Sequence, residues 1–349
     1  MTSSFLKLVT IFESIAIGLV ITILFCLLAI RIARWAKLLD IPGSANHKQH
    51  FQPTPLAGGI ALFLSAVVLI TIFHLWRMPY SYLLLAAAIV FAFGIWDDAR
   101  GLSAPQKLVG QIIASILLIV SGTSVKILEN VAFLSPIVIN ILDWGLTIFW
   151  LVGIANSINL IDSMDGLALG TVGISFGFLM TMALVAQQVD LALFSAIFLG
   201  ICIGIYTFNI SPAWLFLGDS GTQSIGFILA AVAIIYTPHN LSQASSWFVP
   251  ILILGFPIFD TTLVVVSRLL HHKPVFHGDL GHTYHRLVAM GLDPNRAVTS
   301  IHVVALILNL LAFIALSLSP WKANAVFFAV VLVGVILLIF FVRKHPQPI

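Results

Sequence analysis

"SPIVINILDWGLTIFWLVGIANSINLIDSMDGLA", residues 135–168, joins two kinds of sequence in one stretch. Its first part, roughly 135–156, is an apolar block. As helix, at about 1.5 Å per residue, it is long enough to cross a hydrocarbon core of about 30 Å. Its second part repeats a polar residue at every third position: Asn156, Asn159, Asp162 and Asp165. The whole chain is 60% hydrophobic and 8% charged, with a mean hydropathy of +1.11. A soluble domain carries about 25% charged residues. The apolar runs are too long and too continuous for the alternating segments of a strand barrel. The fold class is therefore an all-α polytopic membrane protein.

Eleven such blocks recur, at about 8–33, 56–75, 80–96, 106–122, 135–156, 166–187, 190–208, 222–237, 248–267, 298–318 and 322–342. About eleven transmembrane helices are expected, and with no repeat or long linker between them residues 1–349 read as a single integral-membrane domain. The first block is too long for the apolar region of a signal peptide, and no small-residue cleavage site precedes "RIARWAK", so it reads as a retained span. Cys26 and Cys202 fall inside blocks, as inert buried thiols rather than a disulfide or zinc site.

Numbering the loops alternately sorts the basic residues. One side holds twelve: Arg31, Arg34, Lys37, Lys48, Arg100, Lys107, Arg268, Lys273, Arg286, Arg296, Arg343 and Lys344. The other holds four: Lys7, Arg77, Lys126 and Lys322. This bias places the N-terminus outside and the C-terminus in the cytoplasm. Asp97, Asp98, Asp162, Asp165, Asp219 and Asp279 follow the same side, although orientation does not require it of carboxylates. Function is expected on the cytoplasmic face.

Five clusters lie on that face. In "NSINLIDSMDGLA", the polar groups converge if one helix ends near Asn159 and the next begins near Asp165. Asp162, Ser163 and Asp165 each suit an N-cap. Capping accounts for one carboxylate and leaves the other, with both amides, unexplained at a membrane edge where polar groups are costly. In "WDDARGLSAPQK", residues 96–107, adjacent Asp97 and Asp98 invite a cation, with Lys107 opening the next span. In "FNISPAWLFLGDSGTQSIG", residues 208–226, Asp219 sits between glycines at a helix start, where N–H groups favour phosphate and a hard oxygen ligand suits magnesium. In "RLLHHKPVFHGDLGHTYHRL", residues 268–287, His277, His282 and His285 match no zinc spacing, and with Lys273, Asp279 and Arg286 they better suit a diphosphate. The first loop, "NHKQHFQPTPLAGG", offers His47, Lys48 and His50 to phosphate or to anionic lipid. Solvated loops and simple caps explain each cluster singly. Together, carboxylates, amides and bases on one face fit a magnesium-dependent reaction of a phosphorylated substrate.

"DDARGLSAPQK", "NSINLIDSMDGLA", "PAWLFLGDSG", "PIFDT" and "GDLGHTYHRL", in this order over about residues 35–300, resemble the polyprenyl-phosphate N-acetylhexosamine-1-phosphate transferases (glycosyltransferase family 4). That superfamily includes the muramyl-pentapeptide translocases. The resemblance implies transfer of a sugar 1-phosphate, with N-acetylglucosamine 1-phosphate favoured, from a UDP-sugar to undecaprenyl phosphate, releasing UMP. Another UDP-N-acetylhexosamine, or UDP-MurNAc-pentapeptide, is the alternative donor. It implies Asp97 and Asp98 as catalytic, Asn159 and Asp219 as ligands of magnesium, with manganese as an alternative, and Lys107 on the acceptor phosphate. Asn156, Asp162 and Asp165 would line the nucleotide-sugar pocket, Asn209 and Phe216 would lie near the uracil, and His282, His285 and Arg286 would meet the donor. The setting implied is the bacterial inner membrane, with no nucleic-acid partner and a homodimer as one open assembly.

The sequence departs from the family pattern at Tyr284, where histidine is usual, and at Ser163-Met164, where glycine commonly follows the aspartate. A transporter or flippase is the rival class, but polar residues near the bilayer midplane are few and scattered: Glu13, Asp143, Asp260 and Asn309.

Overall fold

The computed structural model describes residues 2–41, 53–129, 131, 134–238, 246–272 and 281–344. Of the residues singled out above, His47, Lys48, His50, Lys273, His277 and Asp279 lie outside the described residues.

In lipid every backbone N–H and C=O must be paired within its own segment, so long apolar runs become helices. Thirteen helices form among the described residues: α1 Thr2–Trp35, α2 Gly58–Ile72, α3 Tyr80–Arg100, α4 Ala104–Val120, α5 Pro136–Ile161, α6 Leu167–Val185, α7 Val189–Asn209, α8 Gly218–Ile235, α9 Val249–Ile253, α10 Gly255–Leu270, α11 Thr283–Ala289, α12 Pro294–Ala315 and α13 Pro320–Lys344. Local chemistry starts several of them. Pro294 opens α12 behind Asp293, whose carboxylate accepts the N–H groups of Asn295 and Arg296 at 2.9 and 3.4 Å. Two short strands, β1 Leu39–Asp40 and β2 Thr54–Pro55, pair antiparallel with Leu39 opposite Pro55.

Among the described residues, eight helices are long and apolar enough to cross a membrane. Helices α2 and α4 are apolar but shorter, at 15 and 17 residues. The ninth expected block is not one helix. It breaks at Leu254 between α9 and α10 because Pro257 has no N–H for the Ile253 carbonyl one turn back. That carbonyl is taken instead by Asn309 Nδ2 at 3.1 Å and by Ser175 Oγ at 3.2 Å. Neighbouring polar side chains are what make such a break tolerable in a bilayer. Asn309, scattered in the sequence, has a structural task.

Helix α8 is the axis of the molecule. Every residue from Ser220 to Ala233 is buried, and α3, α5 and α2 pack around it. Small residues permit the approach: a methyl on Gly94 of α3 would lie 2.7 Å from the Ser220 nitrogen. Helix α13, by contrast, buries only Ala323, Phe327 and Phe341 and turns the rest of its apolar surface outward. The chain is an all-α, multi-pass membrane protein whose central helix carries Asp219 in its first turn.

Candidate active site

Asp98, at the end of α3, holds the first turn of α8. Its Oδ1 accepts the Asp219 N–H at 2.7 Å, and its Oδ2 accepts the Ser220 N–H at 3.2 Å and the Ser220 hydroxyl at 2.6 Å. Gly218 makes room, with φ of 69° and no side chain; a Cβ there would lie 2.7 Å from the Asp98 carboxylate. The helix N–H groups expected to greet a phosphate are thus spent on Asp98, a side chain being the nearer anion.

Asp97 points the other way. One oxygen accepts the Leu102 N–H at 2.6 Å, and the other pairs with the Lys107 ammonium. Lys107 also reaches Asp219 Oδ2 at 2.5 Å, so one ammonium lies between two carboxylates from α3 and α8. Asn159, near the end of α5, hydrogen-bonds the Asp219 carboxylate and accepts the Thr222 hydroxyl at 2.8 Å. Asp97, Lys107, Asn159 and Asp219, from four different helices, therefore meet at one point.

One turn deeper, a chain of amides ties the same helices together. Asn156 Nδ2 donates to Gln111 Oε1 at 2.7 Å, and Gln111 Nε2 donates to Gln223 Oε1 at 3.0 Å. Gln111 and Gln223 are buried. They stand four residues beyond Lys107 and Asp219, on the same helix faces, and that spacing is the only signal the sequence carries for them. Half-buried Asn156 belongs to this scaffold.

The loop from α5 to α6 supplies the other carboxylates. Neither Asp162 nor Asp165 caps α6; the cap position is Gly166, in the left-handed region with φ of 75°. The capping explanation of these residues therefore fails. Asp165 accepts the Ala213 N–H at 3.2 Å. Burial pushes the half-buried Asp162 carboxyl up to about 8, with the Asp219 and Asp165 charges adding to the effect. Asn209 is buried and spends both ends on backbone, accepting the Gly166 N–H at 3.1 Å and donating to the Leu215 carbonyl at 3.0 Å. It brackets the two loops together. Half-buried Phe216 accepts the Gly58 N–H on its own carbonyl at 2.9 Å, tying its loop to the start of α2.

The histidine-rich turn lies beside this loop. Tyr284 is buried, and its hydroxyl is held above its ordinary range by that burial and by the Asp165 and Asp293 carboxylates. His285 is half-buried, with its ring centroid 5.1 Å from that of Tyr284. Arg286 is buried and ties α11 to its surroundings, donating to the carbonyls of Gly281 and Phe341 at 2.7 and 2.8 Å and to Ser267 Oγ at 3.0 Å. His282 pairs through Nδ1 with Asp260 of α10 at 2.7 Å.

Five carboxylates, Asp97, Asp98, Asp162, Asp165 and Asp219, are electrostatically coupled here, with the Lys107 ammonium set against them. Such a site repels an anionic substrate unless further cations enter. Among the described residues no three His, Cys, Asp or Glu side chains form a ready metal cage. The donor set at the meeting point is two carboxylates and one amide oxygen, which is the sparse all-oxygen set that magnesium accepts when phosphates and water complete its shell. The Lys107 ammonium already marks the place of a positive charge between those carboxylates.

Residues 80–237, spanning α3 to α8, match glycosyl transferase family 4. A Bacillus subtilis (strain 168) protein named probable undecaprenyl-phosphate N-acetylglucosaminyl 1-phosphate transferase is 29% identical over 93% of this chain and 90% of its own length. A Mycobacterium tuberculosis (strain CDC 1551 / Oshkosh) decaprenyl-phosphate N-acetylglucosaminephosphotransferase is 30% identical over 84% of this chain and 80% of its own. A Lactiplantibacillus plantarum phospho-N-acetylmuramoyl-pentapeptide-transferase is 32% identical over 63% of this chain and 70% of its own. The match centres on the helices that build the carboxylate cluster, and its relatives run almost the length of the chain: this protein is a membrane-embedded transferase and belongs to glycosyl transferase family 4.

Proposed function

We propose that this chain transfers an N-acetylhexosamine 1-phosphate, N-acetylglucosamine 1-phosphate in the first instance, from its UDP-sugar to undecaprenyl phosphate, with magnesium and release of UMP. The observation that carries this reading is the Lys107 ammonium shared by Asp97 and Asp219 beside Asn159. The near-full-length relatives named for the same kind of transfer support it. In this reading the chain crosses the inner membrane of a bacterium eleven times with its N-terminus outside, so the cluster opens to the cytoplasm, where nucleotide sugars are made. Envelope polysaccharide synthesis would begin at this step.

The chemistry proposed is a single in-line displacement. An anionic oxygen of the acceptor phosphate attacks the sugar-bearing phosphorus of the donor, the new P–O bond forms as the bond to the UMP oxygen breaks, and UMP carries away the electron pair. No base is needed, because the attacking oxygen is already deprotonated near neutral pH. Positioning and charge neutralisation then supply most of the rate.

Each residue has a task in this scheme. Asp219, Asn159 and Asp97 would hold the magnesium ion, which neutralises charge on the donor diphosphate. Lys107 would leave its carboxylates for the acceptor phosphate. Asp98 would keep the first turn of α8, and so Asp219, in place. Asp162 and Asp165 would line the nucleotide-sugar side together with Asn156, near the loop bracketed by Asn209 and Phe216. His282 would meet a donor phosphate and His285 the donor more generally, with Arg286 holding their turn.

The test is to incubate the purified chain with undecaprenyl phosphate, magnesium and a panel of UDP-sugars and to follow UMP. Release that needs both lipid and metal, with one donor preferred, is expected. No release with any donor removes the reading.

A further inference from the structure

None of the roles above uses Asp260, yet both of its carboxylate oxygens are engaged. It lies in α10 and is 1% exposed, where an ionisable group is costly unless partnered. Its Oδ1 accepts the Thr283 N–H at 2.6 Å and its Oδ2 lies 2.7 Å from Nδ1 of His282. A pair of this kind adds little to stability, since apolar groups of similar volume often serve as well. What it does add is orientation. With Nδ1–H given to the carboxylate, the imidazole cannot turn, and Nε2 becomes the free corner of the ring. That nitrogen has no hydrogen-bond partner among the described residues, in a side chain that is 7% exposed.

Position completes the case. Helix α10 packs against α5, which carries Asn156 and Asn159, and the next residue but one after His282 is Tyr284, within reach of the Asp165 charge. The turn that carries His282 thus lies beside the loop that carries Asp165. Arg286 binds the turn from the other end through Gly281 O and Ser267 Oγ, so the turn is clamped at both sides of the histidine.

We propose that Asp260 is a positioning residue for donor recognition: it fixes the His282 ring through Nδ1, so that Nε2, protonated when the donor is bound, is presented to a phosphate oxygen of the nucleotide sugar. This rests on the function proposed above for the histidine turn. The arrangement parallels the way a buried aspartate orients a catalytic histidine in other enzymes, with the histidine here serving as a hydrogen-bond donor to substrate.

The experiment uses the full chain in detergent, with Asp260→Asn, His282→Gln and the double variant. Asp260→Asn is expected to raise the donor KM about tenfold or more, the scale of a charge-assisted hydrogen bond, and to leave the acceptor KM and Tm near wild type. In the His282→Gln background the same change should add nothing, because its route runs through that ring. An unchanged donor KM, or a full additional loss in the His282→Gln background with a fallen Tm, makes Asp260 structural and overturns the proposal. A second arm does not need turnover: histidine-15N spectra of the full chain with UDP and magnesium, His282 being assigned by its loss in His282→Gln. UDP should move the His282 Nε2 signal in the wild type and not in Asp260→Asn. No movement in the wild type overturns the proposal. Failure of the transfer assay with a shifted Nε2 signal counts against the transfer reading alone.

Discussion

Asp98 and Asp219 are joined not by charge but by a cap: the Asp98 carboxylate accepts the Asp219 backbone N–H at 2.7 Å, from a different helix. Asp98 therefore sets where the α8 carboxylate stands. Asp98→Ala should cost about 1–2 kcal/mol in Tm-derived stability, the worth of a good cap. Transfer should fall about 100-fold, as misplacement of a reacting group by about an ångström does. Asp98→Asn keeps one acceptor oxygen and should fall between. Equal activity in Asp98→Ala and wild type would remove the positioning role.

Lys107 competes for the carboxylates that the metal would use. Lys107→Gln should therefore bind magnesium at least as tightly as wild type, while its acceptor KM rises about tenfold with the loss of a charge-assisted contact. Isothermal titration with magnesium and an acceptor titration separate the two effects. Weakened metal binding together with an unchanged acceptor KM would reverse the assignment.

Asp162 would make the proposed metal binding depend on pH. Its carboxyl, ordinarily near 3.8, titrates near 8 in the folded protein, so between those values the folded chain holds a proton that the unfolded chain has released. By linkage this group favours folding most at low pH, and that contribution is lost as pH rises toward 8. A cation in the cluster favours the ionised form, so magnesium affinity should rise with pH, by up to about tenfold per pH unit, and level off above about 8. In Asp162→Asn the rise should flatten. A titration series across this range checks it, and an identical slope in the variant would count against Asp162.

The eleven apolar blocks all become helix, and the polar break after Asn156 falls where the carboxylates suggest, between Ile161 and Leu167. Length and composition carry that much, because a bilayer leaves so few alternatives for an oily segment. Long-range pairings are another matter. Pro257 is visible in the sequence, but the side chains that rescue its orphan carbonyl are 56 and 78 residues away from Ile253. Asp98 looks like half of a repelling pair until α8 is seen 121 residues on, resting its N-terminus on it. Gln111 and Gln223 sit inside apolar helices and carry no charge to draw notice, while Asp260 reads as an isolated acid because its partner lies 22 residues on.

The rescue at Ile253 has a measurable worth. Asn309→Leu leaves a buried carbonyl with Ser175 as its remaining partner, and should cost about 1–3 kcal/mol of stability. Adding Ser175→Ala should cost more than the sum of the separate changes, since either side chain partly covers for the other. Thermal unfolding in detergent reads both. A stable double variant would show that the break is held by packing alone.

Gln111→Leu tests the amide chain under the site. It strands Asn156 and Gln223 together, so stability should drop by about 1–3 kcal/mol and turnover should fall with it. Gln111→Glu should recover part of both, because its oxygens still accept from Asn156. Wild-type behaviour of Gln111→Leu would make the chain incidental.

The most direct measurement is manganese binding, followed by electron paramagnetic resonance on the full-length protein with UDP present, in the wild type and in Asp219→Asn. One bound ion that disappears in Asp219→Asn, while Tm stays close to wild type, is the predicted result. Undiminished binding in that variant would mean that Asp97, Asn159 and Asp219 do not form the metal site.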